Sequence, residues 1–302
     1  MPNLQNEKIL VLNPFEFDSH FFTSDWRPSN YGFYDRFHIS RIETYRDHLS
    51  LPLPPHRRSV HYFMFLRSGT VKRSKNLNSY ELKAGQIFFL TANQINTFDY
   101  ISEDAEGFYC HFHPDIFFQS HLRFDMDNFL PFFKSKSEPI VELKNLTKIE
   151  EILLKLEEEY SLSDSERFDL IPVSLVALFL EVKFSASIIT PKTKNSSEIL
   201  TQRYQNALAE FICEKKTVVE FADYLSISAN HLNKCVKETT GKSAHDLLQD
   251  MRILESKVLL KQSDLSIGEI AFKVGQFETS DFSRLFRKYT NLTPKQYRKI
   301  QN

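Results

Sequence analysis

Apolar and polar positions along this 302-residue chain fall into two regimes. Between His61 and Phe112 they form short β-rich runs, His61 to Leu66, Tyr80 to Leu82, Gln86 to Leu90, Thr97 to Tyr100 and Gly107 to Phe112. Ser-Gly, Ala-Gly and Glu-Gly breaks separate them, which is the spacing of a small antiparallel barrel or sandwich. Residues 1–55 carry many aromatics and prolines without a clean period and predict an arm and first strands laid over that core. From Thr147 onward the spacing is helical. Thr147 and Glu150 read as a T-x-x-E capping box, and Ile149, Leu153, Leu156 and Tyr160 follow at intervals of four, three and four. A second helix, roughly Ile171 to Phe184, carries Leu175, Leu178, Phe179 and Val182 on one face.

The stretch from Thr190 to Ser197 is polar and breaks every period, so it reads as a linker. Beyond it a helix from about Glu198 to Cys213 is followed by Val219 to Leu225, a Ser226-Ile227 turn and Ser228 to Thr239. A helix from Ser243 to about Lys261, with Leu247, Met251, Leu254 and Val258 on its core face, leads to the most informative run, Ile267 to Arg298. There Ile267, Ile270, Ala271 and Val274 make one apolar face, Gly275 breaks the helix, and Phe282, Leu285, Phe286 and Tyr289 make the next face. The pattern occurs twice: Leu232, Val236, Lys237, Gly241 and Ser243 stand fifty positions before Phe282, Phe286, Arg287, Asn291 and Thr293. Gly241 and Asn291 interchange because both tolerate the left-handed conformation after a helix, and Ser243 and Thr293 read as N-caps. Two helix-turn-helix units are therefore expected, each with a second helix able to enter a major groove.

The run I-x2-I-A-x2-V-G, then F-S-R-x-F-[KR]-K, then T-P-x2-Y-R resembles the AraC-type transcriptional regulators over roughly Glu198 to Gln301. Gln276 stands where that pattern usually has an aromatic, with Phe277 next in line to fill the pocket, and Asp281 where it usually has a neutral residue. The resemblance implies an α+β protein: a cupin-like sensing domain over residues 1–140, a helical dimerisation layer over 141–189, a linker at 190–197 and a double helix-turn-helix domain over 198–302. It also implies a cytoplasmic bacterial regulator, with double-stranded DNA, a second copy of the chain, a small-molecule effector and RNA polymerase as partners.

Charge supports this division. Residues 191–302 hold 18 Lys and Arg against 13 Asp and Glu, and residues 1–190 hold 20 against 26. The excess is modest, so it only adds to the motif. Cys110, Cys213 and Cys235 lack metal-type spacing and read as buried free thiols of a reducing compartment. The first residues do not read as a signal peptide, and Leu170 to Leu180 is too short to cross a bilayer.

On the first recognition helix Leu232, Cys235 and Val236 face inward, which leaves Asn230, Asn233, Lys234 and Lys237 as the outward stripe. Matching to the family pattern makes Asn230, Asn233, Lys234, Thr279, Ser280, Ser283 and Arg284 base readers. Lys237, Lys242, Arg287 and Lys288 are placed for phosphates. Asp281 either repels phosphate or accepts from a cytosine. Ile149, Leu153, Leu156 and Tyr160, beside Glu157, Glu158 and Glu159, form a narrow seam suited to a partner helix from a second subunit, although they could equally cover the open barrel. Twenty-two of 28 phenylalanines precede residue 191, as core filler or as the wall of an effector pocket whose polar anchors would be Arg57, Arg58 and His61. Two rival readings remain, a cupin metalloenzyme and a DNA-repair protein. His111 and His113 alternate on one strand, but Asn96 occupies the place of a further histidine ligand, and the cysteines are scattered. No catalytic residue, metal ligand or cofactor is assigned, and metal analysis separates the readings.

Overall fold

The computed structural model describes residues 11–117, 138–162, 167–186, 195–275 and 277–300. In chain order the N-terminal half runs α1 (Pro14–Phe21), β1 (Phe37–Arg41), α2 (Ile42–His48), β2 (Leu53–His56), β3 (His61–Ser68), β4 (Thr70–Lys75), β5 (Asn78–Lys83), β6 (Gln86–Leu90), β7 (Asn96–Ile101), β8 (Glu106–Phe112) and β9 (Ile140–Glu142). Two helices follow, α3 (Leu146–Leu162) and α4 (Leu170–Ser185). Of the barrel or sandwich expected, the structure has two facing antiparallel sheets that do not close on each other. One has the order β1-β8-β3-β6-β9 and the other β2-β7-β4-β5.

Strands of the larger sheet are buried on both sides. Tyr62, Met64, Leu66, Phe88, Leu90 and Tyr109 face the smaller sheet, while Phe63, Phe65, Ile87, Phe89, Phe108, Cys110 and Phe112 pack under α3 and α4. Alternation along a strand requires both faces to be apolar here, which accounts for the runs F-M-F-L and I-F-F-L and for the phenylalanine content. The outward face of this sheet is what claims α3. Ile149, Leu153, Leu156 and Tyr160 are 0% exposed and belong to this core. The proposed dimer seam is thus corrected: it is satisfied within the chain. Tyr160 donates to the carbonyl of Asn30 at 2.7 Å, and Glu157 beside the stripe takes a bidentate bond from Arg41 at 2.6 to 2.9 Å. Thr147 does not cap α3 either, because the helix begins one residue before it and the Asn145 side chain accepts from the Lys148 amide.

Helices α1 and α2, where an arm and first strands were expected, close the side of the inter-sheet chamber with Phe17, Phe21, Ile42 and Tyr45. Asn13 and Glu16 form the capping box of α1. At eight and seven residues neither is long enough for a helical period to stand out.

The C-terminal half contains α5 (Ser196–Phe211), α6 (Val218–Tyr224), α7 (Ala229–Thr240), α8 (Ala244–Gln262), α9 (Ile267–Gly275), α10 (Thr279–Thr290) and α11 (Pro294–Lys299). It has two cores with α8 between them. Met251 and Val258 join the first with Leu232, Val236 and Phe221, and Ile253, Leu259 and Leu260 join the second with Ile270, Phe282 and Phe286. The two halves of the chain are packed together. Ile95 of the N-terminal half sits in the first helical core, and Asn78 and Gln205 exchange bonds at 3.3 and 3.5 Å. The connector after β2 is clamped to α8: Arg57 makes a bidentate ion pair with Glu255 at 2.9 and 2.7 Å, and the Gln262 carboxamide bonds both the N–H and the carbonyl of Arg57 at 2.9 and 3.1 Å.

Candidate nucleic-acid interface

Each helix-turn-helix is built by local chemistry. Thr217 caps α6 by accepting from the Glu220 amide, and Ser228 caps α7 by accepting from His231. Between them Ser226 adopts φ +59°, the sharp turn that throws α7 across α6. Gly241 and Asn291 end the two recognition helices at φ +74° and +59°, as their interchange in the repeat requires. Ser243 and Thr293 then cap α8 and α11 in capping boxes with Asp246 and Gln296.

On α7 Leu232, Cys235 and Val236 are buried, and Asn230, Asn233, Lys234 and Lys237 are exposed. On α10 Phe282 and Phe286 are buried, Thr279, Ser280, Arg284, Arg287 and Lys288 are exposed, and Ser283 is half-buried. Tyr289, expected on the apolar face, is exposed instead. The outward sets thus lie on the two recognition helices as the spacing implied. Three of their members, Asn233, Ser283 and Arg284, have side-chain partners within the chain, as does Lys242 just beyond α7. Asn233 accepts from the Ala244 amide at 3.0 Å, filling one of the orphan N–H groups at the start of α8. The Ser283 hydroxyl donates to the Thr279 carbonyl at 2.8 Å. Lys242 pairs with Asp250 at 2.7 Å, and that bond raises its pKa. Asp281 points along its own helix and bonds Arg284, with both side chains well exposed. It is therefore paired with the arginine fork of its own helix.

The two units are fixed to one another through α8, whose 19 residues make a rod about 28 Å long. Arg252, in the middle of that rod and 5% exposed, reaches both units. It donates to the Lys216 carbonyl before α6 and lies 5.0 Å from the ring of Phe277 after α9. Lys216 in turn donates to the carbonyls of Cys213 and Lys273, each at 2.7 Å; burial lowers its pKa. Phe277 packs into the second core, as expected of the nearest aromatic; Gln276 lies outside the described residues.

The three effector anchors separate. Arg58 enters the inter-sheet chamber, where it is 4% exposed. Arg57 turns the other way, onto Glu255. His61 is excluded from the chamber because its neighbour Tyr62 points in; its Nδ1 accepts from the Ala92 amide at 3.1 Å. His111 is also inside the chamber, with Nε2 at 2.8 Å from the Tyr34 carbonyl, whereas His113 lies beyond the end of β8. Two inward residues escaped the sequence reading. Arg73 shares the buried face of β4 with Val71 and Lys75 and so faces the chamber, and the run T-V-K-R-S-K gives no sign of which of its cations turn inward. Glu255, the buried end of the clamp, looks in sequence like any acidic residue of a surface helix.

A family model described as a helix-turn-helix domain matches residues 221–300. An uncharacterised HTH-type transcriptional regulator of Staphylococcus aureus (strain COL) is 33% identical over 113 residues, which is 36% of this chain and 15% of that protein. The chain thus spans a small part of that relative's length. The HTH-type transcriptional activator RhaS of Enterobacter sp. (strain 638) is 23% identical over 249 residues, 81% of this chain and 87% of RhaS. Among solved structures, ToxT from Vibrio cholerae O395 aligns over 88% of this chain and 98% of its own with a TM-score of 0.40 and 15% identity. With the repeated units, their paired caps and the family match all falling on the same residues, residues 221–300 form a helix-turn-helix domain of the AraC type.

Proposed function

We propose that this protein is a sequence-specific, effector-responsive transcriptional regulator of the cytoplasm, whose two recognition helices enter successive major grooves on one face of promoter DNA. The observation that carries the reading is the double helix-turn-helix fixed on a single buried rod, α8. Its length of about 28 Å is of the order of the roughly 34 Å that separates successive major-groove faces. Arg252 holds the units at one spacing, so little ordering is needed on binding. Asn230, Lys234, Thr279, Ser280 and Arg284 are the base-reading side chains of this proposal, with Ser283 and Asn233 in mixed roles. Lys237, Lys242, Arg287 and Lys288 contact phosphate and set the salt dependence.

The regulator acts as a homodimer and, at promoters, beside RNA polymerase. Since the α3 stripe is consumed internally, the dimer surface is the outer face of α3 and α4, where Leu154, Val173 and Phe184 are 46%, 40% and 78% exposed. Footprinting tests the main claim: two protected grooves per subunit on one side of the duplex support it, and a single protected groove per subunit overturns it.

A further inference from the structure

Among the described residues, the chamber between the sheets holds more positive charge than its carboxylates balance. Arg73 is 3% exposed. One of its terminal nitrogens, Nη2, donates to the Tyr62 hydroxyl and to Asn96 Oδ1, but Nε and Nη1 have no acceptor, so three of its five N–H groups are unmatched. The rings of Tyr62, Phe88 and Phe98 surround its guanidinium at 4.6, 4.9 and 4.5 Å. Arg58 lies across the ring of Phe17 at 3.9 Å and donates to Tyr109, while its Nε also lacks an acceptor. Both guanidinium groups flank the same ring, that of Tyr62. Among the described residues neither has a carboxylate within ion-pair distance. Asp18 is the acid that acts on Arg58, and burial raises its pKa to about 6. The histidines of the chamber, His38, His56 and His111, are held neutral mainly by burial. Two buried cations, each with free donors, are strongly unfavourable unless an anion completes them.

We propose that the chamber binds a small oxyanion, of the carboxylate class, between Arg73 and Arg58, and that Arg57 carries its occupancy to the DNA-binding domain. Guanidinium forks suit carboxylates geometrically, and the aromatic cage excludes the water that would otherwise compete. Transmission follows from chain continuity: Arg58 and Arg57 are adjacent, one side chain reaching the ligand and the other Glu255 at the centre of α8. This coupling rests on the effector-responsive reading above, whereas the anion site does not.

Trp26, the single tryptophan, supplies the readout. It is buried, its indole N–H donates to Asp18 at 3.1 Å and its ring lies 6.0 Å from that of His38. The full-length protein is titrated at constant ionic strength with sodium acetate, sodium benzoate and inorganic phosphate, following tryptophan fluorescence and thermal unfolding. A saturable response is expected, weakened at least tenfold in Arg73→Met and partly restored in Arg73→Lys. Saturation by acetate or benzoate alone assigns a carboxylate metabolite; saturation by phosphate as well assigns a free oxyanion site. An unsaturable response, or one that is the same in Arg73→Met with its circular dichroism intact, overturns the site. In the second arm, DNA affinity is measured with and without the saturating anion in the wild type and in Arg57→Ala. A severalfold change in the wild type that vanishes in Arg57→Ala supports the coupling. Anion binding that leaves DNA affinity unchanged overturns the coupling and leaves the site standing.

Discussion

Removing Arg57 should loosen the grip of the N-terminal half on α8 without unfolding either half. Glu255 is 0% exposed and Arg57 11% at the side chain, and the pair is bidentate at 2.9 and 2.7 Å. Deleting one member of a buried pair costs about 3 to 5 kcal/mol, because the other charge is left buried and uncompensated. The Arg57→Ala variant strands Glu255, and its cost falls on docking, since the two members belong to different halves. A loss of about 3 kcal/mol changes the docked-to-undocked ratio by roughly 150-fold, at about 1.4 kcal/mol per factor of ten. Glu255→Gln keeps an acceptor for the guanidinium and should cost only about 1 to 2 kcal/mol. The joint replacement Arg57→Met with Glu255→Met should recover most of the loss, because no charge is then stranded. Hydrogen exchange monitored by mass spectrometry over residues 53–62 and 249–262 reads the docking equilibrium directly. Protection in both segments should fall together in Arg57→Ala, while that of the β3–β8 ladder stays. Wild-type protection in Arg57→Ala, or protection lost equally throughout the protein, would refute the assignment of this pair to docking.

Other outcomes follow from the same geometry. Arg284→Ala should weaken the cognate DNA site by about 1 to 3 kcal/mol and relax one base position, whereas Lys288→Ala should weaken all sequences alike; an unchanged cognate-to-scrambled ratio in Arg284→Ala sinks the base-reading role. Arg252→Ala should slow and weaken DNA binding while leaving contacts within each unit intact, and a variant with wild-type affinity for the two-groove site removes it as the strut between them. Leu154→Glu with Val173→Glu should give monomers by light scattering with normal circular dichroism, while Leu153→Lys should lose the folded N-terminal half, having placed a charge in a core position. Acid should destabilise that half. His38 and His56 have folded pKa values of about 3, below the unfolded value, so their contribution is intact above roughly pH 6.5 and is lost below it, by about 2 kcal/mol each at pH 5. His111, also held low by burial, acts in the same sense, and Asp18, raised to about 6, opposes them by roughly 1 kcal/mol. Equal denaturant midpoints at pH 7 and pH 5 would contradict this.

The recognition helices were legible in the sequence because their signals are local and redundant. Phe282 and Phe286, a left-handed cap at Asn291 and an N-cap at Thr293 each imply the others, and the copy ending at Gly241 repeats the set. The β runs were legible in place but not in partnership: β6 was read with its observed bounds, while β1, β2, β4 and β9 lacked the apolar density that marks a strand. The α3 stripe shows the limit of a periodic pattern. Its spacing fixes that Ile149, Leu153, Leu156 and Tyr160 share a face, and nothing in it says whether another helix or a sheet lies opposite. That was decided by Phe63, Cys110 and Phe112, which need cover on a face the strand pattern alone does not assign. Arg73 and Glu255 were invisible for the same reason in reverse, since their burial is a property of what folds over them.

The adjacency of Arg57 and Arg58 bears on how a signal crosses this molecule. An effector can shift an equilibrium only by the difference in its affinity for the two states, so a site that is rigid and indifferent to docking conveys nothing. Here the connector between β2 and β3 is held at both ends by charge: Arg58 in the chamber against Tyr109 and His111, Arg57 on Glu255 with Gln262 bonding its backbone. Movement of Arg58 toward an anion cannot be absorbed by a flexible loop, because its neighbour's N–H and carbonyl are both committed to α8. The strain must appear either in the clamp or in the helix that sets the spacing of the two recognition helices. Since the coupling between ligand and DNA is reciprocal, operator DNA that favours one setting of α8 must raise or lower anion affinity by the same factor that the anion changes DNA affinity. Truncating one partner of the Arg57–Glu255 pair costs about 3 to 5 kcal/mol, and the net contribution of the intact pair is smaller, so that figure bounds the coupling only from above.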